Sequence, residues 1–275
     1  MGNLWKGFKE HRTFRFTSLL VILLIALVVL APVIAPYNPL EAVMKDANQA
    51  PSIAHLFGTD KLGRDVLSRI LYGGAYSLSS VLALVVIIFC VGTFLGLVAG
   101  YFGGLIDTVI MRIADMMISF PGVILAIAIA GIMGGSLVNA MIALTAVTWT
   151  KYARLSRSMV LKIRKRDFVD AAIVSGGTSS HILWTHIMPN VVPILVITAV
   201  SDIGAMMMEL AGLSFLGFGS QPPAPEWGLM LNEGRQQLQT APWLMVFPGL
   251  AIFISVVIFN LWGDALRDVL DPRDQ

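Results

Sequence analysis

Charge is scarce in this 275-residue chain: Asp, Glu, Lys and Arg make up 13% of it, against 56% hydrophobic residues and a mean hydropathy of +0.79. A soluble domain carries about 25% charged residues and about 45–50% apolar ones. A folded chain so poor in polar side chains lacks the surface to stay dissolved. That scarcity excludes a soluble enzyme, a disordered segment and a nucleic-acid-binding module, and it makes the bilayer the expected solvent. Cysteine is nearly absent. Its one copy, Cys90, lies inside an apolar run, so there is no intrachain disulfide and no thiolate metal centre. The four histidines (His11, His55, His181 and His186) all fall outside the apolar runs, and none forms His-Glu-x-x-His. That argues against an intramembrane enzyme. There is also no Gly-x-x-x-x-Gly-Lys-Ser/Thr phosphate loop, so the chain by itself is not an ATPase. What is abundant is methionine, with 14 copies, a residue suited to flexible packing.

Crossing about 30 Å of hydrocarbon takes roughly 20 apolar residues. Six stretches qualify: Phe16 to Ile34, Leu78 to Ala99, Asp107 to Met133 (interrupted by Pro121), Leu137 to Tyr152, Val191 to Leu216 and Trp243 to Trp262. The basic start (Lys6, Lys9, Arg12, Arg15) and the length of the first run predict an uncleaved anchor. Net charge is only +2, yet the basic residues are unevenly placed. With the amino terminus in the cytoplasm, fourteen fall inside and five outside, so both termini are expected to be cytoplasmic. The reading is an all-α membrane protein of six transmembrane helices. It has a cytoplasmic segment at 1–15, one membrane domain over 16–275 and a cytoplasmic loop at about 153–190. On the outside, Val66, Ile70 and Leu71 beside Arg64, Asp65 and Arg69 predict an amphipathic helix at the interface. Pro222, Pro223 and Pro225 force the fifth span to end before them. A short helix is expected over Leu229 to Gln239.

The cytoplasmic loop holds the most distinctive run, Asp170-Ala171-Ala172-Ile173-Val174-Ser175-Gly176-Gly177, ending at His186-Ile187-Met188-Pro189-Asn190. Asp167 or Asp170 suits a helix start, and Gly176-Gly177 permits a sharp turn before a second helix over Ser179 to Ile187. Two short helices on the positively charged side fit docking onto a cytoplasmic protein. On periodicity alone they also fit an ordinary re-entry loop with a solvated basic face.

These residues resemble a known family. Asp170-Ala171-Ala172, then Gly176 and Pro189, look like the EAA loop of bacterial ABC importer permeases, with Asp where Glu is usual. His186-Ile187-x-Pro189-Asn190 is similar to the oligopeptide/dipeptide/nickel branch. So are Gly58-Thr59-Asp60 with Gly63-Arg64-Asp65, and Arg112, Asp115 and Pro121. Leu213 to Gly217, Gln221-Pro222-Pro223, Glu226-Trp227-Gly228, and Gly263-Asp264 through Asp271-Pro272 complete the pattern. The order resembles the second, C-type permease. The resemblance implies a type I ABC importer permease fold in a bacterial inner membrane and a second homologous permease subunit. It also implies two cytoplasmic ATPase subunits that bind ATP and Mg, and an extracytoplasmic substrate-binding protein. No cofactor is expected in this chain, and no metal ligands are assigned. Asp170, Ala171, Ala172, Gly176, Gly177, His186 and Pro189 become the residues that couple it to the ATPases.

Ionisable groups inside spans are functional candidates. Asp115 follows Arg112 by one turn, as a local pair or as a cargo contact. Asp202, Met206 and Glu209 recur at i, i+4 and i+7, which places them on one face, either a carboxylate-lined cation path or a polar seam between helices. The stretch Asp202 to Met207 and the run from Phe253 to Asp268 look more like nickel-type than peptide-type members. The expected cargo is therefore nickel or a related transition metal as a small chelate, ahead of a dipeptide or oligopeptide.

Overall fold

The computed structural model describes residues 11–270. The expectations for Lys6, Lys9, Arg273 and Asp271-Pro272 lie outside these residues. Among those described, every regular element is helical. Helix α1 (Arg12–Val29) stops at Leu30 and is followed by a single turn, α2 (Ala31–Ile34). The predicted first span breaks there because Pro32 has no N–H to continue the helical ladder.

Helix α3 (Val66–Phe102) is 37 residues long, about 55 Å at 1.5 Å per residue. It corrects the expectation of a separate interfacial helix: the predicted amphipathic segment and the second span are one continuous rod. Nothing between Leu71 and Leu78 removes a backbone N–H, and Trp227 covers the early turns by donating from Nε1 to the Ile70 carbonyl at 2.9 Å. Val66, Ser68 and Arg69 are buried, not laid on an interface.

Helices α4 (Gly104–Ile118) and α5 (Gly122–Met133) meet at a 93° bend at the predicted Pro121 break. Helix α6 (Leu137–Ile163) continues well past Tyr152, where the sequence reading ended its span. The loop expected at about 153–190 is accordingly shorter. Lys151, Arg154 and Arg157 do not terminate the helix because each finds a carboxylate on a neighbouring one.

The loop itself holds α7 (Asp167–Val174) and α8 (Ser179–Ile182), then a π-helical turn at Leu183–Ile187 that leads into α9 (Met188–Phe215). Helix α9 ends before the prolines, as expected. Helix α10 (Trp227–Gly234) begins on Glu226, whose carboxylate accepts from the Gly228 and Leu229 amides at 2.8 Å each. Helix α11 (Trp243–Leu270) closes the bundle, and its far end packs Ala265, Leu266 and Val269 against Phe14 of α1.

The centre of the bundle is α3 against α6. Gly92 and Gly96 lie on the contact: a Cβ at Gly92 would stand 2.5 Å from the Trp149 carbonyl oxygen, and one at Gly96 2.3 Å from that of Ala153. Small residues four apart let helix backbones approach this closely, which in a membrane is a main source of association.

By length and apolarity four helical stretches among the described residues can cross a membrane: α1, α3, Ser179–Phe215 and α11. The bent α4–α5 pair, counted as one span, brings the number to five. The six-span expectation exceeds this by α6, whose second half carries Lys151, Arg154, Arg157 and Lys162.

Candidate functional site

The bundle has two distinct ends. At the capped end, Asp60, Arg64, Arg69 and Glu233 form a buried ionic cluster. Arg64 Nε donates to Asp60 Oδ2 at 2.6 Å, while Arg64 Nη2 and Arg69 Nη2 both donate to Glu233 at 2.9–3.2 Å. Beside it Asp65 caps α3, accepting from the Ser68 amide at 2.8 Å and lying 3.0 Å from His55 Nδ1. Glu226 is also sealed in at this end, with Ser77 Oγ 3.3 Å away. Burial pushes its carboxyl above the usual range, although the two amide bonds pull it the other way.

At the loop end, α7 starts on Asp167 with Asp170 in its first turn, where carboxylates favour the positive end of the helix dipole. It is closed by a glycine lock. Gly176, at φ +81°, donates to the Ile173 carbonyl, and Gly177 donates to that of Ala172, both at 3.0 Å. This is a Schellman ending, and its left-handed residue favours glycine. Asp170, Ala171 and Gly176 are exposed, Ala172 and Gly177 half-buried. Phe168, Ile173 and Val174 also project outward, at 44%, 51% and 87% exposure. Thr178 starts the next helix by accepting from the His181 amide. Pro189 falls in the first turn of α9, where its missing N–H costs nothing. His186 sits half-buried in the π-helical turn.

A row of ion pairs ties this end together along α6. Lys151 Nζ binds both oxygens of Asp202 at 2.7 Å, and Tyr152 Oη donates to the same carboxylate at 2.9 Å. Arg154 meets Asp115 at 2.6 Å, and Arg157 meets Asp107 at 2.5 Å. The partner of Asp115 is thus Arg154 across the helix interface, a correction to the expected pairing with Arg112. Asp202 and Glu209 are both half-buried. Met206, on the same side of α9, is only 5% exposed and packs in the core with Ile203, Leu210 and Leu213. Of the residues gathered here, only Asp202 was singled out from the sequence; Lys151, Tyr152, Thr198, Ser201 and Arg267 were not among the site candidates. Asp202, Lys151 and Arg267 line a cavity of about 430 Å³ together with Thr198 and Ser201. Among the described residues no group of three or more His, Cys, Asp or Glu side chains is placed to hold a metal ion.

Residues 92–273 match the family of binding-protein-dependent transport system inner membrane components. The chain belongs to that family. Residues 1–51 match the N-terminal transmembrane domain of oligopeptide transport permease C, so this is a permease of the oligopeptide/dipeptide/nickel branch. It is 42% identical over 270 residues to the glutathione transport system permease protein GsiD of Pectobacterium atrosepticum, covering 98% of this chain and 90% of the relative. Identity to the dipeptide transport system permease protein DppC of Alkalihalophilus pseudofirmus is 40%, with 98% and 88% covered. For the nickel transport system permease protein NikC of Escherichia coli it is 43%, with 93% of each covered. A chain from inward-facing structures of the MetNI methionine ABC transporter superposes with a TM-score of 0.52 at 19% identity, over 72% of this permease and 96% of that chain. The fold is therefore the type I ABC importer permease fold expected from the sequence. Such permeases are not enzymes; ATP hydrolysis belongs to their partner subunits.

Proposed function

We propose that this permease forms half of the translocation pathway of a bacterial inner-membrane importer for a small carboxylate-bearing solute such as a short peptide. The other half is a second homologous permease. Two cytoplasmic ATPase subunits, which carry ATP and Mg, grip the loop end, and an extracytoplasmic binding protein delivers cargo at the capped end. The chain's termini then lie in the cytoplasm, and α6 serves as the sixth span, its charges held by Asp202, Asp115 and Asp107.

The observation that carries the cargo class is the cavity lined by Lys151, Asp202 and Arg267. A bare cation path needs free carboxylates. Asp202 is instead neutralised by Lys151 and hydrogen-bonded by Tyr152, which leaves Arg267 as the uncompensated charge among the lining residues. One excess cation beside two hydroxyl side chains favours a carboxylate on the solute. A second reading, nickel inside a small organic chelate, is favoured by the 43% identity to the nickel permease. Such a chelate offers the same carboxylates to the same cavity.

The loop transmits ATP-driven motion to α9 because α8, the π-helical turn and α9 are continuous, so a displacement of α7 and α8 shifts one end of a spanning helix. The test is uptake into proteoliposomes holding the whole transporter, supplied in turn with labelled dipeptide, labelled glutathione, and radiolabelled nickel with and without an organic chelator. Uptake of a carboxylate-bearing solute that falls with Arg267→Gln supports the assignment. Uptake of nickel alone, with no chelator and no effect of Arg267→Gln, overturns it.

A further inference from the structure

The coupling role uses His186 only as part of the loop, and it leaves His181 without a part. The structure brings the two together. Residues five apart on an α-helix point about 140° apart around its axis, so sequence spacing alone sets these imidazoles on different faces. Leu183–Ile187 is a π-helical turn, however, and its wider winding swings His186 back over His181. The ring centroids are 5.7 Å apart with their planes at 84°. Single π-turns inside helices concentrate at functional sites. His181 Nδ1 lies 3.4 Å from Thr185 Oγ1, which occupies one ring nitrogen and leaves Nε2 available. His181 is exposed and His186 half-buried, so solvent reaches the pair.

We propose that His181 and His186 form a two-imidazole site for a divalent transition-metal ion (nickel, copper or zinc), with water completing the coordination. Imidazole nitrogens bind such ions at about 2.0–2.1 Å, which sets two ring centres about 5–6 Å apart across one ion. The observed 5.7 Å falls within that span. Neutral imidazole suits all three metals, and Thr185 supplies the outer hydrogen bond that fixes a ligating ring. Among the described residues no further His, Cys, Asp or Glu joins the pair to make a group of three, so the ion is held openly and exchanges with its surroundings. Its position gives it a consequence. Bound there, the ion staples the end of α8 to the π-helical turn that leads into α9, stiffening the segment through which the loop moves that span. Cytoplasmic metal then damps transport, whatever the cargo.

The test uses the complete transporter, purified through a tag without histidines and kept free of nucleotide. Nickel is titrated by calorimetry, and copper is read by electron paramagnetic resonance. The expected result is one exchangeable ion per copy of this chain and a copper spectrum with two imidazole nitrogens. Binding should weaken at least tenfold in His181→Ala and in His186→Ala. His181→Gln, at an exposed position, decides the matter should His186→Ala fail to assemble. Affinity unchanged by the His181 variants, or a copper spectrum showing a single nitrogen, overturns the site.

Discussion

At the capped end, Arg69 is 1% exposed and shares Glu233 with Arg64 in a sealed cluster. At the loop end, Arg154 and Asp115 meet at 2.6 Å with 44% and 54% of their side chains open to the surroundings. The two pairings look alike on paper but differ in what breaking them leaves behind. A buried charge robbed of its partner keeps its desolvation cost, whereas an exposed one recovers solvation. The capped end is thus a rigid closure and the loop end an adaptable one, joined by α3 and α6 through the glycine contact.

Four substitutions probe that contrast. The largest effect belongs to Glu233→Ala, which takes the shared carboxylate from two buried guanidinium groups and leaves both to Asp60 alone; it should cost about 3–5 kcal/mol of stability, read as a large drop in melting temperature in detergent. Next comes Gly96→Val, whose Cβ would meet the Ala153 carbonyl oxygen at 2.3 Å. Forcing α3 off α6 should cost about 1–3 kcal/mol, visible as weaker melting at both ends at once. Gly176→Val is more local. Nothing lies within 4 Å of the new Cβ, so the cost is the left-handed backbone alone, about 1–2 kcal/mol. The loop should loosen and uptake collapse while overall melting barely moves. Asp115→Asn should be the mildest, about 0–1 kcal/mol. A melting loss there equal to that of Glu233→Ala would erase the difference between the two ends.

Local chemistry was legible in the sequence. The Pro121 break, the end of α9 before Pro222, the glycine lock of α7 and Pro189 at the start of α9 all follow from residues acting on their immediate neighbours. Pairings over long separations were not. Arg69 and Glu233 lie 164 positions apart, and no periodicity connects them. The same blindness shortened α6: Arg154 and Arg157 read as loop residues because their carboxylate partners sit on α4. The burial of Met206 was not legible for a related reason, since i, i+4 spacing defines a stripe but does not say how much of it the core covers. One signal was present and unused. Gly92, Gly96 and Gly100 recur every four residues, the spacing that marks a close helix contact in membranes.

The central claim is that the loop end drives this permease by gripping ATPase subunits through the outer edge of α7. Val174, 87% exposed at the last turn of that helix, tests it most directly, because Val174→Asp changes the gripping surface and nothing in the core. Co-purification of the ATPase subunits and ATP-dependent uptake should be measured together on this variant and on the unaltered chain. The account predicts that both are lost while melting temperature is retained. Normal assembly with full uptake would contradict it.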